Sequence, residues 1–124
     1  MVQNVVVVDD DPGLLELIEL LLTSPGDTVF LCADGRDAVE LIRRVLPAVV
    51  LLDLQTPRDR EAGLVVLAQL RADTLTATIP VILMSADHGA LTRHAARLRE
   101  LGATSLRKPF YLDRLCQMVQ QAAA

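Results

Sequence analysis

The chain has 124 residues, 52% of them apolar and 23% charged, with a net charge of −4. That length fits one domain with a real core. The acidic balance, and an aromatic complement of only Phe30, Phe110 and Tyr111, argue against a nucleic-acid surface, which calls for positive charge and stacking rings. No apolar run approaches the roughly 20 residues of a membrane helix, no leader pattern stands at the N-terminus, and Cys32 and Cys116 make no metal-binding spacing, so residues 1–124 are expected to form a single cytoplasmic domain with reduced thiols.

In chain order, Asn4–Val8 reads as a strand running into Asp9, Asp10 and Asp11. Gly13–Thr23 reads as a helix, with Asp11 as a natural N-cap and Pro12 suited to the first helical position. Ser24-Pro25-Gly26 breaks the chain before a second strand, Thr28–Cys32. Arg36–Val45 is a second helix, closed ahead of Pro47. Ala48–Leu52 is a third strand, and the polar loop Gln55–Ala62 leads to a helix over Gly63–Ala72. Pro80 opens a fourth strand, Val81–Met84. The spacing predicts one helix over Gly89–Leu101, closed by Gly102. A short fifth strand, Ala103–Leu106, and a final helix, Tyr111–Gln121, complete the alternation.

Strand and helix thus alternate five times. The first, third and fourth strands are unbroken apolar runs, as in a parallel sheet covered on both faces. Right-handed crossovers then give an α/β, flavodoxin-like doubly wound sandwich, with a five-stranded parallel sheet in the order 2-1-3-4-5 and a crevice outside the carboxyl ends of strands 1 and 3. Asp9 and Asp10 end strand 1, Asp53 ends strand 3, Ser85 ends strand 4 and Lys108 follows strand 5. Each alone has an ordinary explanation. Asp53 passes as a turn residue, Ser85 as a helix cap, Lys108-Pro109 as a turn, and for Asp11 the cap is preferred. Ordinary explanations do not account for four loops delivering compatible groups to one rim.

Converging carboxylates repel one another unless a cation offsets them. Mg²⁺ suits oxygen ligands and keeps several waters; Asp10, Asp53 and the carbonyl of Gln55 would bind it directly, and Asp9 through a water. Lys108 is the single lysine beside eleven arginines. Its compact ammonium suits an anion, and Ser85 adds a hydroxyl. Metal, ammonium and hydroxyl around one aspartate describe phosphoryl transfer to that aspartate.

Val7-Val8-Asp9-Asp10, Leu51-Leu52-Asp53-Leu54-Gln55-Thr56-Pro57, Leu83-Met84-Ser85-Ala86 and Lys108-Pro109-Phe110, taken together, resemble the receiver domain of two-component response regulators (CheY-like), from Val5 to about Gln121. The resemblance implies that Asp53 accepts a phosphoryl group from a histidine kinase or a histidine phosphotransfer protein, with Asp9 and Asp10 as the acidic pair. It further implies that Ser85, followed by Ala86, is the switch hydroxyl, and that Lys108 contacts phosphate and precedes a cis peptide to Pro109. Gln55 and Asp87 fall where the family tunes hydrolysis. Such a domain is a signalling switch, not a dedicated enzyme. It serves an attached output or kinase domain, or a homodimer, and itself binds neither nucleic acid nor membrane.

Three departures stand out. The family runs from the proline to a glycine four positions on, whereas Pro57 to Gly63 spans six, two residues more, in a loop that carries the charges of Arg58, Asp59, Arg60 and Glu61. Thr56 stands where methionine is common, and Ser105 stands where a switch aromatic is usual. Two other readings compete. A haloacid-dehalogenase-like phosphatase would use Asp9 and Asp11, but leaves Asp53 without a role. A receiver-like interaction module with altered output would need no phosphate. His88 and His94 read as ordinary solvated residues.

Overall fold

A computed structural model describes residues 4–22, 28–56 and 59–123. The strands are β1 (Asn4–Val8), β2 (Thr28–Cys32), β3 (Val49–Asp53), β4 (Val81–Ser85) and β5 (Ala103–Arg107). The helices are α1 (Pro12–Leu22), α2 (Gly35–Val45), α3 (Ala62–Ala72), α4 (His88–Arg93), α5 (Ala95–Glu100) and α6 (Leu112–Ala123). The strands pair in parallel in the order β2-β1-β3-β4-β5, as expected.

Alternation along each central strand divides the core into two layers. Val6, Val8, Val50, Leu52, Val81 and Leu83 face one side with Ile42 of α2, Leu67 of α3 and Leu91 of α4. Val5, Val7, Val49, Leu51, Ile82 and Met84 face the other, against Ile18 of α1 and Leu115 of α6. With both faces covered, the central strands tolerate only apolar residues until they reach the rim, where the polar residues begin.

The structure corrects one element. The helix expected over Gly89–Leu101 is two helices, α4 and α5, divided at His94, so the described residues hold six helices and not five. No glycine or proline marks the division. His94 lies with φ −97° and ψ 7°, and its ring is 3.5 Å from the Glu61 carboxylate. Smaller differences fall at element ends. Asp53, Ser85 and Arg107 each extend a strand by one residue, because the ladder continues to the rim. The breaker at Ser24-Pro25-Gly26, the end of the first predicted helix at Thr23, and Pro57 and Arg58 lie outside the described residues.

The irregular segment between α3 and β4 is fixed by Arg71. Its guanidinium donates to the carbonyls of Leu101 (2.6 Å), Ile79 (2.7 Å) and Ala77 (3.2 Å), tying the ends of α3 and α5 to the start of β4. Leu101 leads into Gly102 at φ 67°, the left-handed position that ends a helix and that glycine adopts without a Cβ penalty.

Candidate functional site

The site lies at the carboxyl ends of β1 and β3, where the strand order reverses. Ligand oxygens of Asp9, Asp10 and Asp53 lie within 4.8 Å of one another. Asp9 is 2% exposed; its Oδ1 accepts from the Asp11 amide at 2.9 Å and its Oδ2 from Lys108 Nζ at 2.6 Å. Lys108 also reaches Asp53 Oδ2, at 3.5 Å. Asp10 is exposed at the mouth of the cluster. Lys108 therefore bridges a buried and a half-buried carboxylate from its own loop after β5, and a cis peptide joins it to Pro109.

Burial, reinforced by the Asp9 charge, pushes Asp53 up to about 6 against the opposing pull of Lys108 and of the Gln55 amide, which donates to Asp53 Oδ1 at 3.2 Å. For Lys108, burial favours the neutral amine, but the hydrogen bond to Asp9 and the charges of Asp53 and Asp9 outweigh it, so the ammonium form is held more firmly than usual. One ammonium facing three carboxylates leaves an excess of negative charge. An all-oxygen set so close suits a hard divalent cation such as Mg²⁺, so the donor chemistry fits the ion that the sequence implies.

Around this cluster the loops are tied to one another. Asp11 is the expected cap: its carboxylate accepts from the amides of Gly13 (3.0 Å) and Leu14 (3.3 Å). Its carboxylate is thus engaged at the head of α1, and the Asp9–Asp11 pairing that a phosphatase would need finds no support. Ser85 is 1% exposed, and its hydroxyl accepts from the Asp87 amide at 3.0 Å. Ala86 follows, exposed on the loop. Asp87 caps α4, accepting from the Ala90 amide at 2.9 Å, and also accepts from Gln55 Nε2 at 3.2 Å. These two bonds hold the Asp87 carboxyl below its usual range.

The lengthened loop closes on itself, with the amides of Thr56 and Asp59 bonded to each other's carbonyls (2.9 and 3.3 Å). Gly63 then packs on the strand end. A Cβ there would collide with the Asp53 carbonyl oxygen and come within 2.7 Å of Leu54 Cα. Ser105 is exposed on β5, the edge strand.

His88 is exposed, as its reading as a solvated residue implies, and His94 is partly buried, but each ring makes a contact the sequence did not signal. His88 Nε2 lies 3.0 Å from the Lys108 carbonyl oxygen, and the His94 ring faces Glu61. No local pattern signals either contact, since each partner lies on a different loop.

The doubly wound α/β sandwich carries an acidic cluster and a lysine at its switch point. Residues 5–120 match the response regulator receiver domain model. The chain belongs to that family, the signalling domain of two-component systems. It is 36% identical over 69% of its length to the DNA-binding response regulator MtrA of Mycolicibacterium smegmatis, and 31% identical over 96% to the transcriptional regulatory protein GlrR of Escherichia coli. It spans only 36% and 26% of those proteins, respectively. Among solved structures, it resembles the Francisella response regulator 1452 receiver domain (28% identity, TM-score 0.81, 98% and 96% of the two chains). It also resembles the receiver domain of sensor histidine kinase PA1611 from Pseudomonas aeruginosa (29% identity, TM-score 0.81, 99% and 98%), described with a magnesium ion coordinated in its active site cleft. Among the described residues, no helix is long and apolar enough to cross a membrane.

Proposed function

We propose that Asp53 accepts a phosphoryl group from a phosphohistidine, on a sensor histidine kinase or a histidine phosphotransfer protein, and that the aspartyl phosphate is the signalling state. The observation that carries this reading is the meeting of Asp9, Asp10 and Asp53 beside Lys108. An ionised Asp53 oxygen attacks phosphorus in line. The P–N bond breaks, its electron pair stays on the leaving imidazole nitrogen, and a P–O bond forms on Asp53. Lys108 turns from the carboxylates towards the incoming phosphoryl oxygens, and Ser85 leaves the Asp87 amide to donate its hydroxyl to one of them.

Asp10, Asp53 and the Gln55 carbonyl would hold Mg²⁺ directly, with Asp9 acting through a water. When bound, the ion offsets the charge of the carboxylates and of the transferring group. The Gln55–Asp87 hydrogen bond spans the mouth of the site, which supports a role for both residues in admitting the water that hydrolyses the aspartyl phosphate. On this reading the domain is a single unit of residues 1–124 working in the cytoplasm, its only turnover being loss of its own phosphate. It serves an attached output or kinase domain or a second copy, and nucleic-acid contact is left to other parts of a regulator.

Intact-mass measurement after incubation with Mg²⁺ and acetyl phosphate tests the assignment. Wild type gains one phosphoryl group and Asp53→Asn gains none. Label retained in Asp53→Asn but lost in Asp9→Asn would contradict it and favour the phosphatase chemistry.

A further inference from the structure

The first turn of α4 carries a contact that the phosphoryl-transfer chemistry does not use. His88 opens the helix, and its ring is exposed to solvent. It nonetheless crosses to the loop after β5, where Nε2 lies 3.0 Å from the Lys108 carbonyl oxygen. A carbonyl only accepts, so the ring must present Nε2–H, as the neutral Nε2–H tautomer and the imidazolium both do. The Lys108 amide donates to the Ser85 carbonyl at 2.9 Å. Residue 108 is therefore held on both sides by one segment, Ser85–His88, which also carries the Ser85 hydroxyl.

This matters because β5 is an edge strand. Its ladder to β4 ends with the pair Ser85–Arg107, one residue before the lysine. Beyond that pair the Lys108 amide still bonds to the Ser85 carbonyl, which fixes the residue on its amide side. Among the described residues, the His88 ring is the hydrogen-bond partner recorded for the Lys108 carbonyl. Lys108 has a flexible four-carbon stem, yet its ammonium must stay near both Asp9 (2.6 Å) and Asp53 (3.5 Å). Fixing the backbone at the root of that stem narrows the positions the ammonium samples.

We propose that His88 is a positioning residue for phosphoryl transfer, acting through Lys108: its imidazole anchors the Lys108 carbonyl to the head of α4, so that the ammonium and the Ser85 hydroxyl are presented to the phosphoryl group as one unit. The proposal rests on the reading of Asp53 as acceptor. It makes His88 neither a phosphate donor nor a metal ligand.

The test compares wild type with His88→Ala and His88→Gln by titration calorimetry, first with Mg²⁺ alone and then with beryllium fluoride, a phosphoryl mimic, at saturating Mg²⁺. Loss of one neutral hydrogen bond is expected to weaken beryllium fluoride binding by about fivefold in His88→Ala. Mg²⁺ affinity, which depends on the carboxylates, stays unchanged. His88→Gln, whose amide N–H reaches to a similar distance, recovers most of the loss. In a Lys108→Ala background, adding His88→Ala leaves the rate of phosphorylation by acetyl phosphate unchanged. A merely structural histidine would lower the melting temperature without splitting the two affinities. Equal beryllium fluoride affinity in wild type and His88→Ala, or an undiminished effect without Lys108, would overturn this proposal alone. Beryllium fluoride binding that survives in Asp53→Asn would overturn the acceptor reading, and this proposal with it.

Discussion

As the proposed acceptor, Asp53 sets two demands against each other: it would have to be ionised to attack, yet burial and the Asp9 charge push it up to about 6. The folded chain holds a proton on Asp53 that the unfolded chain releases near the usual 3.8. This carboxyl therefore favours folding below about pH 4, and that contribution is lost as pH rises through about 6. In chelator, wild type should lose about 1–2 kcal/mol relative to Asp53→Asn between those limits, a figure reduced for solvent at the open side of the site. Parallel stability curves for the two proteins would show that the aspartate is not under this stress. At this scale the acidic cluster was legible because each residue ends an apolar run, and a run that ends in charge marks a rim. Asp11 as a cap was legible for the same reason of local chemistry. The contacts of His88 with Lys108 and of Gln55 with Asp87 were not, because their partners lie 20 and 32 positions away and only the folded register brings them together.

The elements show the same division between local and tertiary causes. The strands were legible as apolar runs, and the end of α2 from Pro47 behind it; the cap at its head, where the Asp34 side chain accepts from the Arg36 amide, emerged from the structure. The break at His94 was not legible, since Ala90, Leu91 and Leu98 keep one apolar face across it. That break gives the molecule a short helix, α4, bonded to the site loops through its cap Asp87 and first residue His88, and bounded at its far end by His94, which faces Glu61 of the lengthened loop. On the proposed reading, with Ser105 exposed and too small to act as a swinging ring, these contacts are the expected route from an aspartyl phosphate to the surface. Amide hydrogen exchange with and without beryllium fluoride should change after Ser85, through α4, and over positions 58–62, with little change at Ala103–Arg107. Protection changes concentrated on β5 and α6 would show that the usual output face is still in use.

For the molecule as a whole, the sheet order makes the site, because only at the junction of β1 and β3 do loops diverge enough to leave a crevice. The same junction gathers charge that the apo fold tolerates at a cost. A ligand that binds the folded state alone stabilises it by about 2.7 kcal/mol at a hundredfold excess over its Kd. Mg²⁺ should therefore raise Tm at neutral pH, and Asp10→Asn should blunt the rise; an equal rise in both would count against a site built on Asp10. The order of elements was legible from the alternation of runs and helices, whereas the ties between the loops around Asp9, Asp10 and Asp53 were not. The central claim, that Asp53 carries the phosphoryl group, is tested most directly by locating the modified residue. After phosphorylation with acetyl phosphate and Mg²⁺, borohydride reduces an aspartyl phosphate to homoserine, and peptide mass spectrometry reads its position. The account predicts homoserine at residue 53 and at no other aspartate; homoserine at residue 9, or modification spread over several carboxylates, would contradict it.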